Sequence, residues 1–314
     1  MSLLSLFLGI FTIVQLNCEN LFDCRHDSLK QDEEYLPESP RRWNPSRYWQ
    51  KLNNIGQEII ACGEGDDRWQ LPDLVALCEV ENDSVCRDLC RRSLLRKAGY
   101  EYVVTDSPDL RGIDVALLYS PLTFRLIDYR ALRVVPLPGM RPTRDILYAT
   151  GQLRSGDTLH VFVVHTPSQY DGRRITEPRR QLVAARVLSA VDSIRSVCRE
   201  PKIVVTGDFN ETASGPVPVQ MEAAGFYNVS RTATGSHGAK GTYKYQGRWE
   251  GIDHIFLSSQ LAAALVETFI CDAPFLLEED AKNGGMMPRR TFVGYRYNGG
   301  FSDHLPLVAR MNFY

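Results

Sequence analysis

The sequence predicts a layered fold in which strands and helices are mixed, and three observations carry that expectation. Short runs of branched apolar residues recur along the chain, as at Ile203-Val204-Val205, and read as buried strands. Elsewhere apolar residues return at helical spacing, as Leu52, Ile55, Ile59 and Ile60 do within residues 46–62. Segments 102–105, 113–119, 122–133 and 146–153 follow one another at hairpin-like spacing with Gly, Pro and Ser-Pro between them, which implies neighbouring antiparallel strands. A chain of 314 residues can bury a large core, as one domain or as two tightly joined halves.

Composition narrows the partners. Apolar residues at 44% and charged residues at 24% are globular averages, without repeats or low-complexity segments. A formal charge of −2 provides no overall attraction to nucleic acid, so any such contact must come from a local basic patch. The eight cysteines form no C-x-x-C pair and no His/Cys spacing typical of zinc, and Cys18 and Cys78 sit in apolar runs where thiols act as small hydrophobes. A reducing, cytoplasmic setting is the simpler expectation, with secretion or a periplasmic site as the alternative. The apolar opening, residues 1–14, lacks a basic flank and is too short to span a bilayer. The first core strand is expected at 11–16, and the residues before it read as a leader remnant or an added start.

In chain order, strand 11–16 runs into the polar cluster Asn17-Cys18-Glu19-Asn20, where Asn17 is either a neutral metal or phosphate ligand or turn chemistry. Residues 25–45 read as a surface loop. Its Arg41, Arg42 and Trp43, with Arg47, Tyr48 and Trp49, either stack on a base or simply pack the loop down. Strand 74–77 leads to Glu79, a carboxylate too costly to bury unless it is paired or bound to a cation; Glu81 competes for that role. Residues 85–98 read as a surface helix whose arginines face solvent. Arg144 is placed to reach a phosphate or to sit on the surface.

Strand 159–164 exits at His165, which is either a satisfied core histidine or a site residue. Arg173, Arg174, Arg179 and Arg180 then suggest a basic rim, and a helix reaching residue 199 presents Val183, Val187, Val191, Ile194 and Cys198 inward. The run 203–210 ends in Gly207-Asp208-Phe209-Asn210; in isolation an Asx-turn explains it as well as chemistry does. Residues 211–240 read as loop, 241–245 and 251–257 as a strand pair bearing Asp253 and His254, and 271–301 as a long loop before Ser302-Asp303-His304 and a last strand. Asn17, Glu79, His165, Asp208, Asn210, Asp253, Asp303 and His304 all stand at strand exits or entries. That places carboxylates, amides and imidazoles along one edge of a sheet system, as metal-assisted phosphate ester hydrolysis requires.

Asn17-Cys18-Glu19-Asn20-Leu21, Cys78-Glu79-Val80, Val164-His165, Gly207-Asp208-Phe209-Asn210, Ile252-Asp253-His254 and Ser302-Asp303-His304-Leu305-Pro306 resemble the successive motifs of the endonuclease/exonuclease/phosphatase superfamily. The resemblance spans nearly the whole chain and implies one domain over residues 1–314. Its fold would be α+β, a four-layer α/β-sandwich similar to deoxyribonuclease I, with two mixed sheets face to face and helices outside. It implies a monomeric hydrolase for phosphodiesters, nucleic acid among them, working with Mg2+ or alternatively Mn2+ or Ca2+. The alternatives are a phosphatase or phosphodiesterase for small or lipid-linked phosphates and, further off, a binding module without catalysis. By the same resemblance Asn17 and Glu79 hold the metal with Asp303 nearby, and His304, oriented by Asp253, acts as base or stabilises the transition state. Asp208 competes for the base role, Asn210 and His165 bind phosphoryl oxygens with His165 as a candidate acid, and Arg144 contacts phosphate. His165 stands where the abasic-site repair branch has tyrosine, which argues against that repair activity.

Overall fold

The computed structural model describes residues 9–65, 69–170 and 172–313; most of the apolar opening segment, residues 1–8, lies outside the described residues. The strands of its two large sheets, in chain order, are β1 (Ile10–Leu21), β2 (Leu74–Val80), β3 (Glu101–Val104), β4 (Asp114–Tyr119), β5 (Phe124–Leu132), β6 (Ile146–Leu153), β7 (Thr158–His165), β8 (Lys202–Asp208), β9 (Tyr227–Asn228), β10 (Asp253–Leu257), β11 (Leu265–Ile270) and β12 (Leu307–Asn312). They form two six-stranded sheets, ordered β11-β12-β1-β2-β4-β3 and β5-β6-β7-β8-β10-β9. The pairs β1/β2 and β7/β8 are parallel and the other neighbours antiparallel, so both sheets are mixed. Each parallel pair brings two strand C-termini to the same edge.

Alternation along the strands builds the layers. In β7, Val161 and Val163 join the core shared with the first sheet, whereas Phe162 and Val164 face a second core beneath α3 (Arg173–Val197). In β8, Val204 takes the first side and Ile203 and Val205 the second. A one-residue slip would exchange every one of these faces, and each buried side chain of this size is worth about 1.5–3 kcal/mol, so the register is firmly set. Val183, Val187, Val191 and Ile194 of α3 close the second core, as their spacing predicts, while Cys198 at the helix end is exposed. The outer face of the first sheet is covered by Leu52, Ile55 and Ile59 of the helix Pro45–Ala61. This is the expected α+β four-layer sandwich.

Several local expectations are corrected. Residues 85–98 are not one helix: a helix over Asp83–Arg91, capped by the Asn82 side chain, stops before Ser93, which caps a separate 3-10 turn over Leu94–Lys97. The segment 211–240 holds a helix, Pro216–Ala223, and strand β9; the Glu211 carboxylate accepts the Val217 N–H at 2.9 Å and so caps that helix. The long loop 271–301 contains two small hairpins, Leu277–Glu279 with Met286–Pro288 and Phe292–Val293 with Arg296–Tyr297. The basic-aromatic loop is packed down. Trp43 is fully buried and donates to the Phe22 carbonyl at 3.0 Å, and the Arg41 guanidinium lies over Tyr35, Phe292 and Tyr295. Arg180 is no rim residue; it is buried against Glu211 at 2.6 Å. All eight cysteines are free, and no helix among the described residues is long and apolar enough to cross a membrane.

Candidate active site

Backbone irregularities aim the site's side chains. β1 and β2 run in register from Ile13/Leu74 to Asn17/Cys78 and then slip, so that Leu21 faces Val80. The slip is a bulge in β1, and β2 makes a second bulge against β4 between Cys78 and Val80; Glu19, Asn20 and Glu79 adopt left-handed φ of 48°, 56° and 61°. Glu19 and Glu79 each store about 1–2 kcal/mol of strain there, whereas Asn20 is a residue that tolerates it. β1 therefore does not end at Leu16; Asn17 is the last regular pair before its bulge, and Glu79 lies in the bulge that β2 makes against β4. On the second sheet Gly207 has φ 151°, and a Cβ there would lie 1.8 Å from the Val164 carbonyl oxygen. Only glycine lets β7 and β8 meet, and their register then sets His165 beside Asp208 and Asp208 beside Asp253.

Asp208 is the hub. Its Oδ2 accepts the Asn17 amide at 3.0 Å and lies 3.6 Å from His165 Nε2 and 3.9 Å from His304 Nε2, while its Oδ1 accepts the Asn210 N–H at 2.8 Å. Burial, and then the nearby Asp253 charge, pushes the Asp208 carboxyl up to about 7. His304 Nδ1 is 2.7 Å from Asp253 Oδ2, which also accepts the Thr242 hydroxyl at 2.5 Å. Burial opposes charge on His304, but Asp253 outweighs it and holds the imidazole up at about 10, an imidazolium at neutral pH. His165 is kept neutral by burial and by the Arg144 and Arg111 cations, and its buried Nδ1 has no hydrogen-bond partner among the described residues.

One Glu79 oxygen accepts the Asn20 N–H at 2.9 Å; the other lies 3.9 Å from His165 Nε2, beyond hydrogen-bonding distance. Asp208, Asp253 and His304 offer ligand atoms within 4.8 Å of one another. A free carboxylate oxygen beside buried carboxylates and amides is an oxygen-rich donor set suited to a hard divalent cation. Asp303 is turned elsewhere, with its Oδ2 on Arg290 Nη2 at 2.6 Å. Burial raises its carboxyl, yet the His304 and Arg290 cations hold it below the usual range. Asn210 Nδ2 donates to the Thr166 carbonyl at 3.1 Å. Arg144 is buried, spanning Asp109 at 3.0 Å and the Thr166 carbonyl at 2.9 Å. Thus Asn17, Glu79, His165, Asp208, Asp253 and His304 converge, Asn210 borders them, and Asp303 and Arg144 are engaged with other partners.

Sequence reasoning missed several supporting groups. Gln15, a lone amide within Ile13-Val14-Gln15-Leu16, reaches Asp253 Oδ1 at 3.4 Å; its polarity at a buried strand position was the available signal. The Glu19 carboxylate takes the N–H groups of Thr291 and Phe292 at 2.6 and 3.3 Å. Burial and Asp303 push it up to about 7. Lys51, buried on the helix Pro45–Ala61, donates to Thr291 Oγ1 at 2.6 Å and to the Phe301 carbonyl. Together they tie the segment leading to Asp303 and His304 onto β1 and that helix. The Tyr243 ring lies 4.9 Å from the His304 ring.

The model of the Endonuclease/Exonuclease/phosphatase family matches residues 12–312. No curated protein matches the chain at a significant level. Among solved structures, an endonuclease/exonuclease/phosphatase family protein from Bacteroides thetaiotaomicron superposes with a TM-score of 0.64 at 15% identity, over 96% of this chain and 98% of that one. A mannosyl-6-phosphatase from the same species gives 0.62 at 15% identity, over 95% and 98%. The human Nocturnin catalytic domain, solved with a sulfate anion, gives 0.56 at 17% identity, over 96% and 93%. At such identities these three speak for the fold, whereas the family match takes in both sheets and every converging residue. The chain therefore belongs to the endonuclease/exonuclease/phosphatase family.

Proposed function

We propose that this protein is a divalent-cation-dependent hydrolase of phosphodiesters, with Mg2+ as the working cation and Mn2+ or Ca2+ as substitutes. The observation that carries the reading is the buried chain Asp208, His304 and Asp253 lying beside a Glu79 carboxylate with one free oxygen. Glu79 would hold the cation, with Asn17 and Asp208 beside it. When bound, the cation neutralises charge on the scissile group.

This chain's own residues do the rest. Asp208, whose carboxyl burial and Asp253 raise in the cation-free site, would take a proton from the attacking water. His304, an imidazolium because Asp253 faces it, meets negative charge that grows on the phosphoryl oxygens. This assigns the base to Asp208 and transition-state stabilisation to His304. Neutral His165 presents Nε2 to the same space as a hydrogen-bonding group rather than as a strong acid. Asp303 acts through Arg290 in shaping the segment that carries His304.

A long nucleic-acid track would draw on Arg41, Arg42, Arg173 and Arg174, but Arg41 is spent on Glu34 at 3.0 Å and on aromatic rings. The exposed cations left suit a strand end or a compact phosphodiester better than a duplex. The test is a panel of plasmid DNA, single-stranded DNA, RNA, synthetic phosphodiesters, phosphomonoesters and phosphoinositides, each with and without chelator. Chelator-sensitive diester cleavage is expected. Turnover confined to phosphomonoesters, or indifferent to chelator, would overturn the reading.

A further inference from the structure

A cleft of about 730 Å³ opens beside the site and is continuous with it through Asn210 and Tyr243. Its outer wall is aromatic. Tyr243 and Tyr245 stand on the hairpin Tyr243–Tyr245 with Arg248–Glu250, their ring planes 10° apart and their centroids 6.5 Å apart. Tyr245 is 55% exposed, and Tyr170 on the opposite lip is 95% exposed. Tyr245 and Tyr170 hold large rings open to solvent on the wall of this cleft, a surface suited to a planar partner.

Polar side chains line the cleft beside the rings, and two of them are already engaged. Gln169 donates to the Asn210 carbonyl at 2.6 Å, and Glu211 is held by Arg180 at 2.6 Å and by the Val217 N–H at 2.9 Å. A sugar polyol needs many hydrogen-bonding partners, whereas a base needs a π-face. Arg173, exposed at the start of α3, adds one cation at the rim. The volume falls in the range of small-ligand sites and is too small for a duplex.

We infer that this cleft is a nucleoside subsite, with one base stacking on Tyr245 and Tyr243 while the phosphate attached to that nucleoside lies at Asp208 and His304. The inference rests on the phosphodiesterase reading above and names its substrate class: a phosphodiester that carries a nucleoside at the cleaved phosphate. Tyr243 is then shared, with one ring neighbour in the catalytic group and the other in the cleft.

The test compares thymidine 5′-(p-nitrophenyl phosphate) with ethyl p-nitrophenyl phosphate, which share a leaving group. The readout is the ratio of their kcat/KM values. Wild type should prefer the nucleoside ester, Tyr245→Ala should lower the ratio about 5- to 150-fold, the loss expected for one base stack, and Tyr245→Trp should retain it. An absent preference in wild type, or an unchanged ratio in Tyr245→Ala, overturns the subsite. If neither ester is cleaved, the hydrolase reading fails on its own, and calorimetric binding of thymidine monophosphate, ethyl phosphate and mannose 6-phosphate decides the cleft. Tightest binding of thymidine monophosphate, weakened by Tyr245→Ala, supports the subsite; equal binding of all three, or tightest binding of the sugar phosphate, overturns it.

Discussion

Gly207→Ala adds one methyl group where β8 lies against Val164 of its parallel neighbour β7. Its Cβ would sit 1.8 Å from the Val164 carbonyl oxygen, 2.7 Å from that carbonyl carbon and 2.9 Å from Val164 Cγ2. To reach even a 3.0 Å contact the carbonyl must retreat by about 1.2 Å, and being backbone it can move only with β7. Overpacking of this kind costs about 1–3 kcal/mol, and holding alanine at φ 151° adds about 1–3 kcal/mol. The expected destabilisation is therefore about 2–6 kcal/mol, a large share of the roughly 5–15 kcal/mol available to a folded protein. Val164 and Gly207 are register partners, and His165 and Asp208 are the next pair along. A shift of about 1 Å there should lower the rate about 10²-fold in whatever folds. Urea unfolding measures the first effect as a lower midpoint at unchanged slope, and steady-state kinetics the second. A midpoint change equivalent to about 0.5 kcal/mol or less, as for a surface substitution, with full turnover would refute the tight contact and the geometry built on it.

Four further outcomes are expected. Asp208 has its folded-state carboxyl raised from 3.8 to about 7, by burial and then by Asp253, so its contribution to stability is complete below 3.8 and lost as pH rises through 7. In chelator the melting temperature of wild type should fall over that window relative to Asp208→Asn, and parallel curves would count against it. Asp208→Ala and His304→Ala should each lower turnover by at least about 10²–10³ while circular dichroism stays native; near-normal activity in both would sink the site. Asp253→Asn removes the carboxylate that holds His304 up at about 10, so the alkaline limb of the pH–rate profile should move to lower pH. A limb that stays in place would assign it to another group. Lys51→Met strips Thr291 and the Phe301 carbonyl of a charged donor and should cost about 2–4 kcal/mol. Its kcat should fall more than its KM changes, because His304 loses its support, and unchanged unfolding would show that the clip is idle.

Much of the site was legible because its residues interrupt strong local signals. Glu79, His165 and Asp208 each end an apolar strand, and a polar group at such a position demands a reason. What supports them was less legible, because the pairing is non-local. Nothing near Lys51 in sequence announces Thr291, and Gln15 finds Asp253 only through the face-to-face packing of the sheets. The helix Pro216–Ala223 was hidden by its own start, since Gly215, Pro216 and Pro218 read as loop punctuation, although proline is at home in the first helical turn. The bulges after Asn17 and at Glu79 were invisible for a different reason: left-handed backbone at Glu19 and Glu79 goes against residue preference and accompanies the register shifts of β1 against β2 and of β2 against β4.

The place of β1 has a consequence for how the protein is made. β1 lies in the interior of the first sheet, and its partner on one side is β12, with Gln15 against Leu307. While the chain is still being synthesised, that edge of β1 has nothing to pair with. At about 5–20 residues per second the wait lasts on the order of tens of seconds. Since the converging residues run from Asn17 to His304, a ribosome-bound chain brings its chemistry together only once the segment up to β12 has emerged, and until then that edge of β1 stays open.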